Sequence, residues 1–304
     1  MSTKIVVLGA AGMLGHKIFQ RLRVDFPGTI AIMRKHADSP SFNDVELLQG
    51  GDVMTGIDVM EFTALRAALS EIRPDFVINC VGIIKQRTDA LAAIPSITVN
   101  ALLPHRLVEL AATWHGRLIH FSTDCVFSGA RGSYTEEDPS DAHDLYGCSK
   151  FLGETAVPNA LTLRTSMIGR ELAGHRSLLD WFRSQAGRTV QGYRRVIYSG
   201  VTTNHLADLV MDIIRNHSDL HGLYQVASSP ISKYELLCLL RDAYRLNIEI
   251  TPNDDEQSDR SMSGEKLYRA IGYRAPSWPE LIHQLATDAT QYGSWSSQIE
   301  LSTR

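Results

Sequence analysis

Lys4-Ile5-Val6-Val7-Leu8-Gly9-Ala10-Ala11-Gly12-Met13-Leu14-Gly15 is the stretch on which the reading of this chain turns. Its first part is a short β-branched apolar run, the pattern of a buried strand. Glycines then recur at every third position, Gly9, Gly12 and Gly15, after which Ile18, Phe19 and Leu22 share one helical face. Strand, glycine turn and helix in this order put backbone N–H groups at a helix N-terminus that an anion can approach closely. In that context the turn Gly9, Gly12, Met13, Leu14, Gly15 is a candidate cradle for a dinucleotide pyrophosphate. The spacing is G-x-x-G-x-x-G rather than G-x-G-x-x-G, so purely structural glycines are the competing reading.

Working outward, residues 29–33 read as a second strand ending in Arg34 and Lys35. An NAD site places a carboxylate near this point to accept from the ribose 2′-hydroxyl. Here two cations stand instead, with no carboxylate before Asp38, and they suit a 2′-phosphate. NADP(H) is therefore favoured over NAD(H). Residues 45–48 read as a third strand leading to Asp52 and Val53, with Asp52 either accepting from the adenine amino group or starting a turn. An amphipathic helix over about 59–72 stops before Pro74. Residues 76–82 form a fourth strand whose carboxyl end, Cys80, Val81 and Gly82, faces the cofactor, with Lys85 beyond it as a candidate substrate contact. A helical segment over about 90–113, a fifth strand at 118–121 and a sixth at 161–165 continue the alternation. The expected fold is α/β, a Rossmann-like doubly wound parallel sheet.

Past Thr165 the rhythm changes. A short helix at 177–185, strand-like residues at 189–199, a helix–strand unit at 205–215 and 223–226, a helix at 233–244 and a short strand at 248–250 follow. Residues 252–259 read as a polar loop, and a last helix starts near Pro279. The expected organisation is a dinucleotide-binding domain over 1–165, rejoined by about 196–228. A smaller C-terminal α/β substrate-binding domain comprises 166–195 and 229–304, and the pocket lies between them.

The 304 residues carry a net charge of −4 and 44% hydrophobic residues, the balance of an ordinary globular protein. That charge gives no reason to expect nucleic acid or an acidic membrane as partner. No apolar run approaches the length of a membrane span, and no leader pattern opens the chain, so a cytoplasmic location is expected. The four cysteines, Cys80, Cys125, Cys148 and Cys238, have no metal-ligand spacing, and no metal is expected. The oligomeric state is left open, a homodimer being one option.

The chemistry is read from residues 122–150. Ser122-Thr123-Asp124-Cys125-Val126-Phe127 follows the fifth strand, and Tyr146-Gly147-Cys148-Ser149-Lys150 follows a polar, turn-rich loop. On a helix Tyr146 and Lys150 leave one face. An ammonium beside a phenol lowers its pKa and makes it a proton donor near neutrality, while a hydroxyl from Ser122 or Thr123 steadies a carbonyl oxygen.

With these motifs in order, the chain resembles the extended short-chain dehydrogenase/reductase superfamily, and within it the dTDP-4-dehydrorhamnose reductase family of nucleotide-sugar reductases. The matching residues are Gly9, Gly12 and Gly15, the run from Ser122 to Phe127, Tyr146 and Lys150 with Gly153-Glu154, and more weakly Leu163-Arg164-Thr165, Ser199-Gly200-Val201-Thr202 and Asp259-Arg260-Ser261. The resemblance implies an NAD(P)H-dependent reductase acting on a nucleotide-sugar substrate, a 4-keto-6-deoxy sugar. It makes Tyr146 the proton donor, Lys150 the holder of the nicotinamide ribose and Thr123 the hydrogen-bond donor to the C4 oxygen, with Arg194 and Arg260 as candidates for the nucleotide pyrophosphate. These reductases usually carry tyrosine where Cys125 stands. GDP-fucose synthase-like epimerase/reductases carry cysteine there, paired with a histidine in a Gly-His dipeptide such as Gly174-His175. Cys125 and His175, with Asp124, are thus candidate acid/base groups of a bifunctional alternative. A non-catalytic regulatory subunit on the same fold, like the methionine adenosyltransferase β subunit, is the other.

Overall fold

The computed structural model describes residues 3–34, 42, 45–84, 92–172, 176–290 and 292. Lys35, Lys85 and His175 lie outside them. The first half runs β1 (Ile5–Leu8), α1 (Gly15–Asp25), β2 (Ile30–Ile32), β3 (Val53–Met54), α2 (Phe62–Ile72), β4 (Phe76–Asn79) and α3 (Ala93–Ser96). A π-type segment, Ile97–Leu102, joins α3 to α4 (Leu103–Ala112), followed by β5 (Arg117–Ser122), α5 (Leu145–Leu152) and β6 (Ala160–Arg164). Then come β7 (Met167–Ile168), α6 (Leu178–Arg183), β8 (Thr189–Tyr198), β9 (Val201–Thr202), α7 (Thr203–Asn216) and β10 (Gly222–Gln225). The chain closes with β11 (Ile231–Ser232), α8 (Lys233–Tyr244), β12 (Glu249–Asp259), α9 (Glu265–Ile271) and α10 (Trp278–Ala286).

Among the described residues seven strands form one sheet in the order β3-β2-β1-β4-β5-β6-β10, every pair parallel. Because both faces of such a sheet are covered, its strands are mainly apolar, β1 entirely so. In β1, Val7 belongs to the core under α1 and α7, whereas Val6 and Leu8 belong to the core under α2 and α4. The order reverses direction between β1 and β4, which opens a crevice at their carboxyl ends. The Rossmann-like expectation describes this architecture, and the strand near 223–226 does return to the main sheet, beside β6.

The smaller layer is a sheet in the order β11-β8-β12. It is backed by α6, α8 and α10, whose Phe182, Leu236, Leu240, Leu281 and Ile282 make a second core with Val190 and Tyr198 of β8. Both α8 and α10 open on capping boxes, Ser232 with Glu235 and Ser277 with Glu280, satisfying N–H groups that would otherwise be stranded.

Two elements differ from the sequence reading. Residues 45–48 hold a 3-10 turn, Glu46–Leu48, and the third strand is β3. Leu48 is fully buried, and the local bond from its N–H to Val45 O suffices to close the turn. An apolar run this short does not separate strand from turn. The polar segment 252–259 is not a loop, because β12 runs through it parallel to β8, with an irregularity between Asn253 and Gln257. As an edge strand largely open to water, β12 lacks the alternation that would reveal it.

At the glycine turn, Gly9 sits at φ +78°, the left-handed region that side chains avoid. A Cβ at Gly15 would lie 2.1 Å from Gly9 O, so this glycine is needed for the turn to fold against its own helix. The end of the described chain closes over the same helix. His16 is fully buried with Nδ1 2.9 Å from Gly12 O and Nε2 2.9 Å from the Tyr292 hydroxyl, and Lys17 pairs with Asp288 at 2.6 Å. Burial lowers the His16 pKa from 6.5 to about 4. The unfolded chain therefore binds this proton first. The stabilisation is complete above pH 6.5 and is lost as pH falls toward 4. Its size is about 3 kcal/mol. Urea midpoints measured across this range should fall with pH, and fall less steeply in His16→Gln.

Candidate active site

Where the sheet's carboxyl edge meets the smaller layer lies a cleft of about 550 Å³. Gly12, Met13 and Leu14 form one wall, with Cys80, Val81 and Gly82 from the exit of β4 beside them. Thr123, Asp124, Cys125, Tyr146 and Lys150 line its middle, and Tyr198, Lys233 and Arg260 come from the smaller layer. The structure thus gathers most of the residues expected at the site. α1 starts at the glycine wall without a side-chain cap and with no acidic residue in its first turn, which leaves its positive end for an anion. These features fit the pyrophosphate–nicotinamide portion of a dinucleotide.

Five expected cofactor residues do not line the cleft. Gly9 and Gly15 shape the turn from behind. Arg34 is more than half exposed, with a guanidinium nitrogen 3.7 Å from Asp58. Asp52 gives its backbone carbonyl to Ala31 N at 2.9 Å, and Val53 of β3 is the register partner of Ala31 beside β2. Arg194 is likewise outside, its side chain 54% exposed and paired with Asp254 of β12.

Thr123 is extended and begins a short 3-10 turn, Asp124–Val126; its Oγ1 accepts from Cys125 N at 3.1 Å and donates to Asp124 Oδ1 at 3.1 Å. The same hydroxyl hydrogen-bonds the Tyr146 phenol. Asp144 caps α5 by accepting from Gly147 N at 2.8 Å, which sets the helix that presents Tyr146 and Lys150. Burial, then the neighbouring Cys125, raises the Tyr146 pKa, and the Thr123 bond opposes this. The expected lowering by Lys150 is therefore not what this arrangement shows. The Lys150 Nζ instead donates to Phe121 O at 2.5 Å and lies 3.5 Å from His120 Nε2. Burial brings Lys150 from 10.5 to about 8.

Three functional candidates escaped the sequence reading. Lys233 holds its Nζ 4.2 Å from the centre of the Tyr198 ring, facing Asp124 and Cys125, with its pKa lowered by burial and raised by those two groups. Asn100 in the π-type segment bonds Ile83 N and O at 2.9 and 3.0 Å and Ser149 Oγ at 3.2 Å, tying the β4 exit to α5. Ser166 joins the wall after β6. The only available signal was a polar residue inside an apolar helix, which marks burial but not purpose. Arg260 reaches the cleft while its Nε donates to Phe127 O at 2.9 Å. Among the described residues no His, Cys, Asp and Glu cluster has metal-binding geometry, and no helix is long and apolar enough to cross a membrane.

The RmlD substrate binding domain family matches residues 3–290. The chain belongs to that family. A probable dTDP-4,6-dihydroxy-2-methyloxan-3-one 4-ketoreductase of Streptomyces antibioticus is 30% identical over 242 residues, 74% of this chain and 71% of its own. Methionine adenosyltransferase 2 subunit beta of Xenopus laevis is 21% identical over 321 residues, 92% of this chain and 89% of its own. The RmlD family fold is also that of dTDP-4-dehydrorhamnose reductase from Bacillus anthracis, solved in complex with NADP. There the TM-score is 0.78 at 18% identity, over 94% of this chain and 99% of that one.

Proposed function

We propose that this RmlD family member is an NAD(P)H-dependent oxidoreductase that reduces the C4 ketone of a nucleotide-activated 4-keto-6-deoxy sugar. The supporting observation is that Thr123, Tyr146 and Lys150 line one cleft with the Gly12–Leu14 wall. Names of its relatives, such as the 4-ketoreductase of Streptomyces antibioticus, point the same way. Gly12, Met13, Leu14 and the β4 exit would hold the cofactor. A bound nicotinamide supplies a hydride to the carbonyl carbon.

The chain's own residues supply the rest. As negative charge develops on the ketone oxygen, the Tyr146 O–H bond breaks and its proton completes the alcohol. Thr123 orients that phenol by its hydrogen bond, and a buried site makes that bond count for more than in water. Arg260 and Lys233 put cations on the sugar-nucleotide side of the cleft. NADPH is the proposed reductant because Arg34 stands at the end of β2, exposed and facing a solvent-side carboxylate it can exchange for a 2′-phosphate. A cytoplasmic location and no nucleic-acid or membrane partner belong to the same reading.

A second reading, epimerisation before reduction, is supported by the position of Cys125 in the cleft beside Tyr146. The deciding experiment is an NADPH-oxidation screen against dTDP-, UDP- and GDP-linked 4-keto sugars in deuterated water. Oxidation without label beside the carbonyl is the expected outcome. Label that disappears in Cys125→Ser establishes the epimerase. Absence of oxidation with every sugar favours a regulatory subunit like the β subunit of Xenopus laevis.

A further inference from the structure

Lys233 stands where a lysine is hard to hold. It is the first residue of α8, directly after the Ser232 cap, so its charge lies at the positive end of the helix. Burial and the neighbouring Arg260 also oppose the ammonium, while Asp124 and Cys125 favour it. Among the described residues its Nζ makes no ion pair and no hydrogen bond. The side chain is fixed instead by an aromatic face. Nζ rests 4.2 Å from the centre of the Tyr198 ring, which packs in turn on Trp278 at 5.4 Å. The pairing of β11 with β8 brings this about, since Ile231 and Ser232 are the register partners of Tyr198 and Ile197. A position that disfavours the fold and keeps three donors turned to a cleft marks a group held for a ligand.

Asp124 is the matching half. It is 6% exposed, and its Oδ1 accepts from the Thr123 hydroxyl at 3.1 Å, whereas Oδ2 has no donor among the described residues. The same hydroxyl bonds the Tyr146 phenol, so carboxylate and phenol are two hydrogen bonds apart. Both line the cleft with Lys233. An ammonium only donates and a carboxylate only accepts, and a hydroxyl satisfies both at once. A methyl or a methoxy group does not.

We propose that Lys233 and Asp124 bracket the C3 hydroxyl of the sugar, making Lys233 the residue that selects substrates with a free hydroxyl beside the ketone. Vicinal oxygens of a pyranose lie about one hydrogen-bond length apart, so a C4 oxygen held by the phenol puts its neighbour toward Asp124. Of the two carbons flanking C4 in a 6-deoxy sugar, C5 carries the methyl group and the ring oxygen, and C3 carries the hydroxyl. The inference rests on the reductase reading and deepens it by naming the substituent that is read.

The test compares two sugars in two proteins. The probes are 4-keto-6-deoxyglucose and its 3-deoxy counterpart, linked to dTDP unless the oxidation screen selects another nucleotide. Wild type should show kcat/KM on the order of 10²-fold higher for the hydroxyl sugar, because the deoxy sugar leaves both charges unpaired. In Lys233→Met, which keeps the stem on Tyr198, that ratio should shrink to within about tenfold, and Tm should hold or rise. A wild-type ratio near one means that water fills the place, and it overturns the proposal. So does an unchanged ratio in the folded variant, with both sugars slowed alike, which leaves the lysine a structural role. Should methionine prevent folding, Lys233→Gln gives the same comparison. Failure of the reductase reading shows differently, since neither sugar is then reduced. Calorimetry with dTDP-linked 6-deoxyglucose and its 3-deoxy counterpart decides in that case. A preference for the hydroxyl sugar that Lys233→Met abolishes supports the proposal, and equal affinities in wild type overturn it.

Discussion

Replacing Tyr146 by phenylalanine should lower kcat/KM for NADPH oxidation with a 4-keto sugar nucleotide by about 10²–10⁴-fold, the contribution of a positioned general acid. In the proposed reaction the phenol gives its proton where the alkoxide forms, and phenylalanine keeps the ring's packing while deleting that proton. Cofactor affinity, followed by fluorescence of the reduced nicotinamide, should not change, because the glycine wall and the β4 exit are untouched. Thr123→Val tests the same geometry from the other side. It removes the hydroxyl that bonds both Tyr146 and Asp124, so the rate should fall while Tm moves little. Wild-type rates in Tyr146→Phe would remove the phenol from the reaction.

The largest stability effect is expected at Glu154. Its carboxylate accepts from Arg164 Nε at 2.9 Å, Arg164 Nη2 at 2.7 Å and Ser122 Oγ at 2.6 Å. The arginine side chain is 2% exposed and its guanidinium lies 5.0 Å from the Phe127 ring centre, a bidentate pair sealed beneath the Thr123 turn. Glu154→Ala leaves the cation buried without a counter-charge, which costs about 3–5 kcal/mol. For a chain of this size that corresponds to a Tm lower by on the order of 10 °C. The double variant Glu154→Met/Arg164→Met should recover much of the loss, since an apolar pair asks nothing of its surroundings. A double variant no more stable than the single one would show that the pair's packing, not its charge, is what the core needs.

How legible the site was varied with the range of the interactions. The glycine turn, the Ser122–Phe127 run and the Tyr146/Lys150 pair are contiguous, each on or beside one element, so spacing and the order of the motifs picked them out. Arg34, Asp52 and Arg194 were chosen by their place after a strand or in a basic pair. Their side chains answer to local partners, Asp58 and Asp254 among them, that spacing does not show. Lys233 illustrates the converse. In sequence it is one of seven lysines, placed at the head of a helix, and it becomes a cleft residue only because β11 lies antiparallel to β8 and turns α8 toward Asp124.

The sequence by itself determined the parallel doubly wound sheet, its helical layers and which groups are candidates for proton transfer. Those follow from hydrophobic periodicity and from backbone demands at glycines, both local properties. Only the tertiary structure decided the electrical state of those groups. A Tyr-x-x-x-Lys spacing promises a phenol lowered by an ammonium. The folded protein instead buries both and binds the lysine to Phe121 O, with His120 Nε2 3.5 Å away. Desolvation depends on neighbours packed in from elsewhere in the chain, and it outweighs the one-turn neighbour that the spacing reveals.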